Sequence, residues 1–159
     1  NILREGKPIL VFDEDNREGE TDIFFSAKYV THSSVRFLRK NGGGMIFLAA
    51  ENRASTELGL PFAQEIYEEV TKNKNKFEIL KTMLSHTLPY DKRSSFSVFL
   101  NHKNTFTGIS DNDRALTAKT FAQIFEDTIN SKISNGQNIL AQKSQLLLML
   151  FFQKQFLLF

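Results

Sequence analysis

Residues 13–22 (DEDNREGETD) gather six carboxylates around one arginine and one glycine. Like charges packed this closely repel, and the usual remedies are solvent, basic partners or a bound divalent cation. A solvated acidic turn is the plain explanation of such a run, but three features set this one apart. Gly19 follows Arg17 and Glu18 and permits an unusual backbone conformation or a close approach to a ligand. The run also follows the apolar stretch PILVF at residues 8–12, which reads as a buried strand, and layered α/β sheets bind ligands at the carboxyl ends of their strands. Finally, carboxylates mixed with one guanidinium suit a hydroxylated, phosphorylated ligand plus a hard metal better than a metal alone. An EF-hand calcium loop fails. Counted from Asp13, the positions that need an oxygen ligand and then glycine hold Arg17 and Glu18.

A second stretch, TFTGISDNDR at residues 105–114, offers another constellation. Gly108 permits a tight turn, and Thr107, Ser110, Asp111, Asp113 and Arg114 could face one ligand. Helix capping by Ser110 or Asp111 explains part of the same pattern, so both readings stand. Gly42, Gly43 and Gly44 read as a helix C-cap and turn, since three glycines alone match no phosphate-loop pattern. His32, His86 and His102 lack metal spacing and read as surface or capping positions. The absence of cysteine excludes disulfides, thiolate metal sites and a cysteine nucleophile, and fits a reducing, cytoplasmic setting.

The elements that position these residues follow from periodicity. Residues 8–12 are predicted as the first strand, residues 13–22 as its loop, and residues 23–25 as resumed extended chain. Thr31 is the expected N-cap of a helix to about Lys40, with Val35 and Leu38 inward. MIFLAA at residues 45–50 has the continuous apolar character of a strand covered on both faces. A helix is predicted over residues 54–58, closed by Gly59. Further helices are carried by Phe62, Ile66 and Val70, and by Phe77, Leu80 and Leu84. SFSVFLN at residues 95–101 alternates as a strand with Phe96, Val98 and Leu100 on one face. A helix after Ser110 or Asp111 has Leu116, Phe121, Ile124 and Ile129 to bury. Strands alternating with helices argue for a layered sheet with helices on its faces.

With 159 residues, 41% hydrophobic and 24% charged, the chain suffices for one domain with a real core. A net charge of +2 with scattered basic residues, Lys72, Lys74 and Lys76 being the densest cluster, argues against nucleic acid as a partner. No signal peptide is expected, and the longest apolar run, LLLMLFF at residues 146–152, is too short to span a bilayer. The end of the chain differs in character. No acidic residue follows Asp127 and no glycine follows Gly136. Either a final amphipathic helix stands here, or the native sequence has been lost by truncation or a shifted frame; the second is the favoured expectation.

Taken together, these stretches resemble 3,4-dihydroxy-2-butanone 4-phosphate synthase in its archaeal form. The resemblance rests on VFDEDNREGETD at residues 11–22, LRKNGGGMIFLAA at 38–50, LGLPF at 58–62 and PYDKRSSFSVFLNHKNTFTGISDNDRALT at 89–117. It covers about residues 6–127, and the REGExD and TGISxxDR motifs in one chain make it specific. It implies an α+β, three-layer α/β/α sandwich with a mixed sheet, incomplete at the C-terminus and working as a homodimer. The implied domain is residues 1–136, with residues 137–159 an aberrant hydrophobic, Gln-rich tail.

The implied reaction turns D-ribulose 5-phosphate into L-3,4-dihydroxy-2-butanone 4-phosphate and formate in riboflavin biosynthesis, with Mg2+ or Mn2+. Enolisation of a ketose, loss of water, a skeletal shift and expulsion of one carbon need proton shuttles and a Lewis acid for the enediolate charge. By motif, the resemblance makes Glu18, Glu20 and Asp22 catalytic and Glu18 the metal ligand. It assigns substrate contacts to Arg17, Glu18, Asp22, Thr107, Asp113 and Arg114, with Asp113 and Arg114 also supporting their loop. Phe47 stands where many members carry a cysteine. The family's later RSPGH-like and RxGHTE segments, which supply a histidine ligand, phosphate-binding residues and a further histidine and glutamate, have no counterpart here. Residues 135–159 contain no histidine, glutamate, proline or arginine. An inactive remnant that binds metal or sugar phosphate without turnover is therefore the alternative. An acidic-loop phosphohydrolase built on Asp13 and Asp15 is a weaker one.

Overall fold

The apolar run near the start of the chain forms β1 (Ile9–Phe12), which pairs antiparallel with β2 (Thr21–Phe24) from Ile9↔Phe24 to Phe12↔Thr21. The computed structural model describes residues 1–43, 45–72, 77–84, 88–89, 91, 93–130 and 146–147. A 3-10 turn at Ala27–Tyr29 leads into α1 (His32–Asn41). Thr31 caps α1 as expected. Its hydroxyl accepts the Ser34 N–H, and the Ser34 side chain returns a bond to the Thr31 N–H, so two otherwise orphaned donors are satisfied. Gly42 closes the helix, its N–H donating to the Leu38 carbonyl.

The helices α2 (Asn52–Leu58), α3 (Ala63–Lys72) and α4 (Glu78–Leu84) follow, α2 ending on Gly59 in the left-handed conformation. A short strand, β3 (Asn101–His102), precedes the long helix α5 (Asp111–Asn130), and β3 pairs antiparallel with β4 (Leu146–Leu147). The core forms where α1, α2 and the 3-10 turn meet α5. Val30, Val35 and Ala115 pack as one buried cluster, and Ala54, Phe121 and Ile124 are buried as well. Along α5, Thr117, Phe121, Ile124 and Thr128 are all buried, at the three- and four-residue steps that put side chains on one helix face. Thr128, fully buried, returns its hydroxyl to the Ile124 carbonyl 2.7 Å away.

Ion pairs fasten α5 at both ends. Lys28 reaches both Glu126 oxygens, and Arg39 bonds both oxygens of Asp111 at 3.1 and 3.0 Å. On another side, Arg93 stacks over the Phe62 ring at 3.8 Å and bonds Glu65, and the Ala63 N–H donates to the Phe96 carbonyl.

Several expectations are corrected. β1 is only partly covered: Ile9 is half-buried but Leu10 is 69% and Phe12 58% exposed, because among the described strands the hairpin has no third neighbour. Residues 45–50 form no strand and stand exposed, since no ladder partner among the described residues meets them. Of residues 95–101 only Asn101 enters a strand; Val98 and Leu100 are half-buried but Phe96 is exposed. Leu116 and Ile129 stay exposed, lying off the face that α5 buries. The loop is shorter than predicted, since Thr21 and Asp22 already belong to β2. His102 is buried, not superficial; its Nδ1 accepts the Asn104 N–H and caps a turn.

Gly44, Lys74, Lys76, His86 and the tail over 137–159 lie outside the described residues, 146–147 excepted. The architecture is α+β, and the described strands form two two-stranded antiparallel sheets. No described helix is long and apolar enough to cross a membrane.

Truncation on the buried face of α5 should dominate stability. Ile124→Ala is expected to cost about 3 kcal/mol by cavity formation, whereas Phe106→Ala, at a side chain 97% exposed, should change stability by less than about 0.5 kcal/mol. Chemical denaturation of the two variants checks this, and equal losses would show that α5 does not bury the face described.

Candidate functional site

The turn between β1 and β2 is organised by its first residue. The Asp13 N–H donates to the Glu20 carbonyl at 2.9 Å and closes residues 13–20 into a hairpin loop. The Asp13 carboxylate then turns inward. Oδ1 accepts the Glu14 N–H at 2.7 Å, while Oδ2 accepts the Arg17 guanidinium at 2.9 Å and the Glu18 N–H at 3.3 Å. Gly19 takes a φ of 63°, the left-handed region a glycine enters without strain, and this lets the chain return to β2. Arg17 consequently lies 3.6 Å from Glu18 and, on its other side, 3.6 Å from Asp91. The Glu14 N–H, the Arg17 bond and then the Glu18 N–H hold the Asp13 carboxyl below its ordinary value, and Asp13 holds the Arg17 guanidinium above its own.

The second stretch is organised by a different aspartate. Asp113, in the first turn of α5, accepts the Phe106 N–H on Oδ1 at 3.3 Å. Its Oδ2 accepts the Thr107 and Gly108 N–H groups, each at 3.1 Å, and the Thr107 hydroxyl at 3.4 Å. Desolvation pushes this carboxyl up, but the N–H groups of Thr107, Phe106 and Gly108, together with Ser110, outweigh it and the net direction is down. Ser110 is the N-cap of α5, its hydroxyl accepting the Asp113 N–H at 3.1 Å. The Arg39 fork, followed by the positive charges of Arg114 and Arg36, lowers the Asp111 carboxyl despite its partial burial.

The expected site residues therefore fall into two groups. Arg17 and Glu18 stand together on the hairpin loop. Glu20 closes that loop through its carbonyl with its side chain exposed, and Asp22 is exposed on β2 opposite Val11. Thr107 and Asp113 stand together at the head of α5, with Arg114 half-buried next to them. The described contacts of the first group run to Asp91 and those of the second to α5. Asp13 as loop organiser went unassigned in the sequence reading, although its spacing to Arg17 carries a signal. Asp91 has no local signal at all, since only folding brings it to Arg17. Among the described residues no three His, Cys, Asp or Glu side chains are placed to hold a metal ion. A cleft of about 390 Å³, lined in part by Lys28, Leu48, Phe121 and Phe125, lies along the later turns of α5 and includes none of these residues. Phe47 is 64% exposed and meets Phe96 edge to face.

Comparison with known proteins gives a consistent picture. The family model for 3,4-dihydroxy-2-butanone 4-phosphate synthase matches residues 1–144. A protein of that name from Methanothermobacter thermautotrophicus is 42% identical over 125 residues, which are 79% of this chain and 53% of that protein. One from Archaeoglobus fulgidus is 40% identical over 130 residues, 82% of this chain and 54% of its own length. A riboflavin biosynthesis protein from Bacillus mycoides is 30% identical over 115 residues, 72% of this chain and 24% of that protein. Among solved structures, a 3,4-dihydroxy-2-butanone 4-phosphate synthase in complex with two magnesium ions aligns with a TM-score of 0.57 at 22% identity, covering 91% of this chain and 51% of its own. The chain spans about half the length of the archaeal relatives it matches.

The two aspartates at the head of α5 make the turn acid-sensitive. Both carboxyls are held below the ordinary aspartate value, so their stabilisation is fully present above the unfolded value and is lost as pH falls through the lowered folded values. Carbon NMR titration is expected to find both side-chain carboxyls titrating below an aspartate in an unstructured peptide of the same chain. Midpoints equal to or above that reference would contradict the bonding described.

Proposed function

This chain belongs to the 3,4-dihydroxy-2-butanone 4-phosphate synthase family, and from that premise we propose that it carries the substrate-handling half of the synthase site. The reaction is the conversion of D-ribulose 5-phosphate to L-3,4-dihydroxy-2-butanone 4-phosphate and formate. The name of the Bacillus relative supports the assignment to riboflavin biosynthesis.

The observation that carries the proposal is the hairpin loop, which holds a guanidinium and a carboxylate 3.6 Å apart at an exposed turn, Arg17 beside Glu18. Arg17 binds substrate oxygens through its fork of donors. Glu18, Glu20 and Asp22 are exposed carboxylates on one hairpin, suited to removing and returning the protons that enolisation and dehydration displace. Thr107 offers a hydroxyl from the second turn, and Arg114 a cation beside it. Glu18 would be this half's ligand to magnesium or manganese, and the two magnesium ions of the solved relative support metal use. The described residues do not complete such a site, so no step is assigned to the ion.

The exposed apolar side chains at residues 10–12 and 45–50 support a wider reading of the whole protein. In a three-layer α/β/α sandwich with a mixed sheet, assembled as a cytoplasmic homodimer, such runs would be covered. On this reading residues 1–136 are the synthase domain. Residues 137–159, without histidine, glutamate or arginine, are an aberrant tail, into which the family match runs only as far as residue 144. The second reading, a remnant that binds sugar phosphate without turnover, is favoured by the incomplete metal set among the described residues.

Formate release from ribulose 5-phosphate with magnesium is expected to be negligible for the 159-residue chain and substantial once a family-like C-terminal half is restored. Turnover by the chain alone would overturn the half-site reading, and silence of the restored protein would overturn the reaction. Calorimetric titration of the chain with magnesium alone should give a dissociation constant of about 10⁻³ M or weaker, as expected for a site with one carboxylate arm.

A further inference from the structure

The Asp113 carboxylate is gathered by a single turn: Oδ2 accepts the Thr107 and Gly108 N–H groups and the Thr107 hydroxyl, and Oδ1 accepts the Phe106 N–H. Of the roughly four lone-pair directions of a carboxylate this leaves one, on Oδ1, so the side chain is committed mainly to its own loop. Its own backbone is fixed from both directions. The Asp113 N–H donates to the Ser110 hydroxyl, and its carbonyl accepts the Thr117 hydroxyl at 3.0 Å. That same Thr117 oxygen accepts the His102 N–H at 3.0 Å, which docks β3 onto the first turns of α5.

Docking β3 places Asn101 against the turn. Gly108 has a φ of 76°, and a Cβ there would overlap the Asn101 side chain. The turn is therefore held by a charge on one side and by steric contact on the other. Thr107 stands exposed at its tip, with its hydroxyl oxygen accepting the Ile109 N–H at 3.3 Å.

We propose that Asp113 and Asn101 are positioning residues that preset the turn over residues 106–109, and that Asp113 acts on a ligand only through Thr107. The proposal rests on the reading of Thr107 as a substrate contact. Asp113 leaves the set of groups that touch substrate and becomes the anchor of one that does. Asn101 joins it as the side chain lying against Gly108, whose φ of 76° by itself favours glycine.

A double-mutant cycle on the 159-residue chain tests this, with ribulose 5-phosphate plus magnesium as the probe and amide hydrogen exchange as a second readout. Thr107→Ala and Asp113→Ala should each weaken binding about tenfold, and the double variant should bind no worse than Thr107→Ala alone, because residues acting through one another are not additive. Asp113→Asn keeps one acceptor oxygen and should recover part of the loss. Exchange at the amides of Phe106, Thr107 and Gly108 should quicken in Asp113→Ala, and at Gly108 in Asn101→Ala, while the amides of α5 from Phe121 onward stay unchanged. Fully additive losses would make Asp113 a direct contact and overturn the proposal. Unchanged exchange at residues 106–108 in both Asp113 variants would overturn it without reference to any ligand. If Thr107→Ala leaves binding intact, the substrate reading of Thr107 fails, and the exchange result still decides whether Asp113 holds the turn.

Discussion

The burial of one face of α5 is the constraint on which the remaining structure depends. Phe121, Ile124 and Thr128 run down that face, and Ala115 meets Val30 and Val35 at its head. Burying Phe121, Ile124, Val30 and Val35 supplies roughly 1.5–3 kcal/mol each, more than any surface ion pair of the chain. The pairs Arg39–Asp111 and Lys28–Glu126 sit at opposite ends of the helix with their side chains partly in water. Exposed pairs contribute at most about 1 kcal/mol, so they fix how α5 lies against α1 and the preceding turn more than how firmly it binds. With α5 fixed, its first turn is fixed too, and Asp113 with it.

The same residue type serves two ends in this chain. Asp13 and Asp113 are each surrounded by backbone N–H groups of a neighbouring turn, and both carboxyls are lowered as a result. Each behaves as a permanent anion that gives shape to a loop. Glu18, Glu20 and Asp22 instead face solvent, where a carboxylate can meet a ligand. The division has a physical cause. An aspartate beside a turn has the short reach needed to gather that turn's N–H groups, those that follow Asp13 and those that precede Asp113, whereas Glu18 and Glu20 emerge where the chain has already turned. Thus the acidic run is less a field of equivalent charges than one structural anion with solvent-facing neighbours.

The exposed apolar side chains are the other general property. Phe12, Phe47, Phe99 and Phe106 are each more than half exposed, and a soluble protein seldom leaves so much aromatic surface uncovered. The hairpin faces and the 45–48 run carry much of it, where the sequence pattern calls for a strand inside a sheet. The chain spans about half the length of the archaeal relatives it matches, and along these segments the apolar pattern runs ahead of the burial.

Local signals were legible in the sequence because their causes are local. Thr31 and Ser34 cap α1, Gly59 ends α2 and Ser110 starts α5, since each bond joins atoms within a few residues. The extent of the sheet was not legible at 45–50 and 95–101, because a strand exists only where a second strand supplies donors and acceptors. The face that α5 buries was half legible: Phe121 and Ile124 were read inward correctly, while Leu116 and Ile129 needed the position of α1 to be ruled out. At the site, the identities of Arg17, Glu18, Thr107 and Asp113 came from the sequence, together with the family. The sequence by itself determined which residues carry charge, where helices begin, and what chemistry those residue types suit. Only the tertiary structure decided that Asp91 meets Arg17, because folding and no local spacing brings those segments together, and how the turn over residues 106–109 closes on Asp113 and Asn101, because residues five to seven apart meet in only some of the conformations their spacing allows.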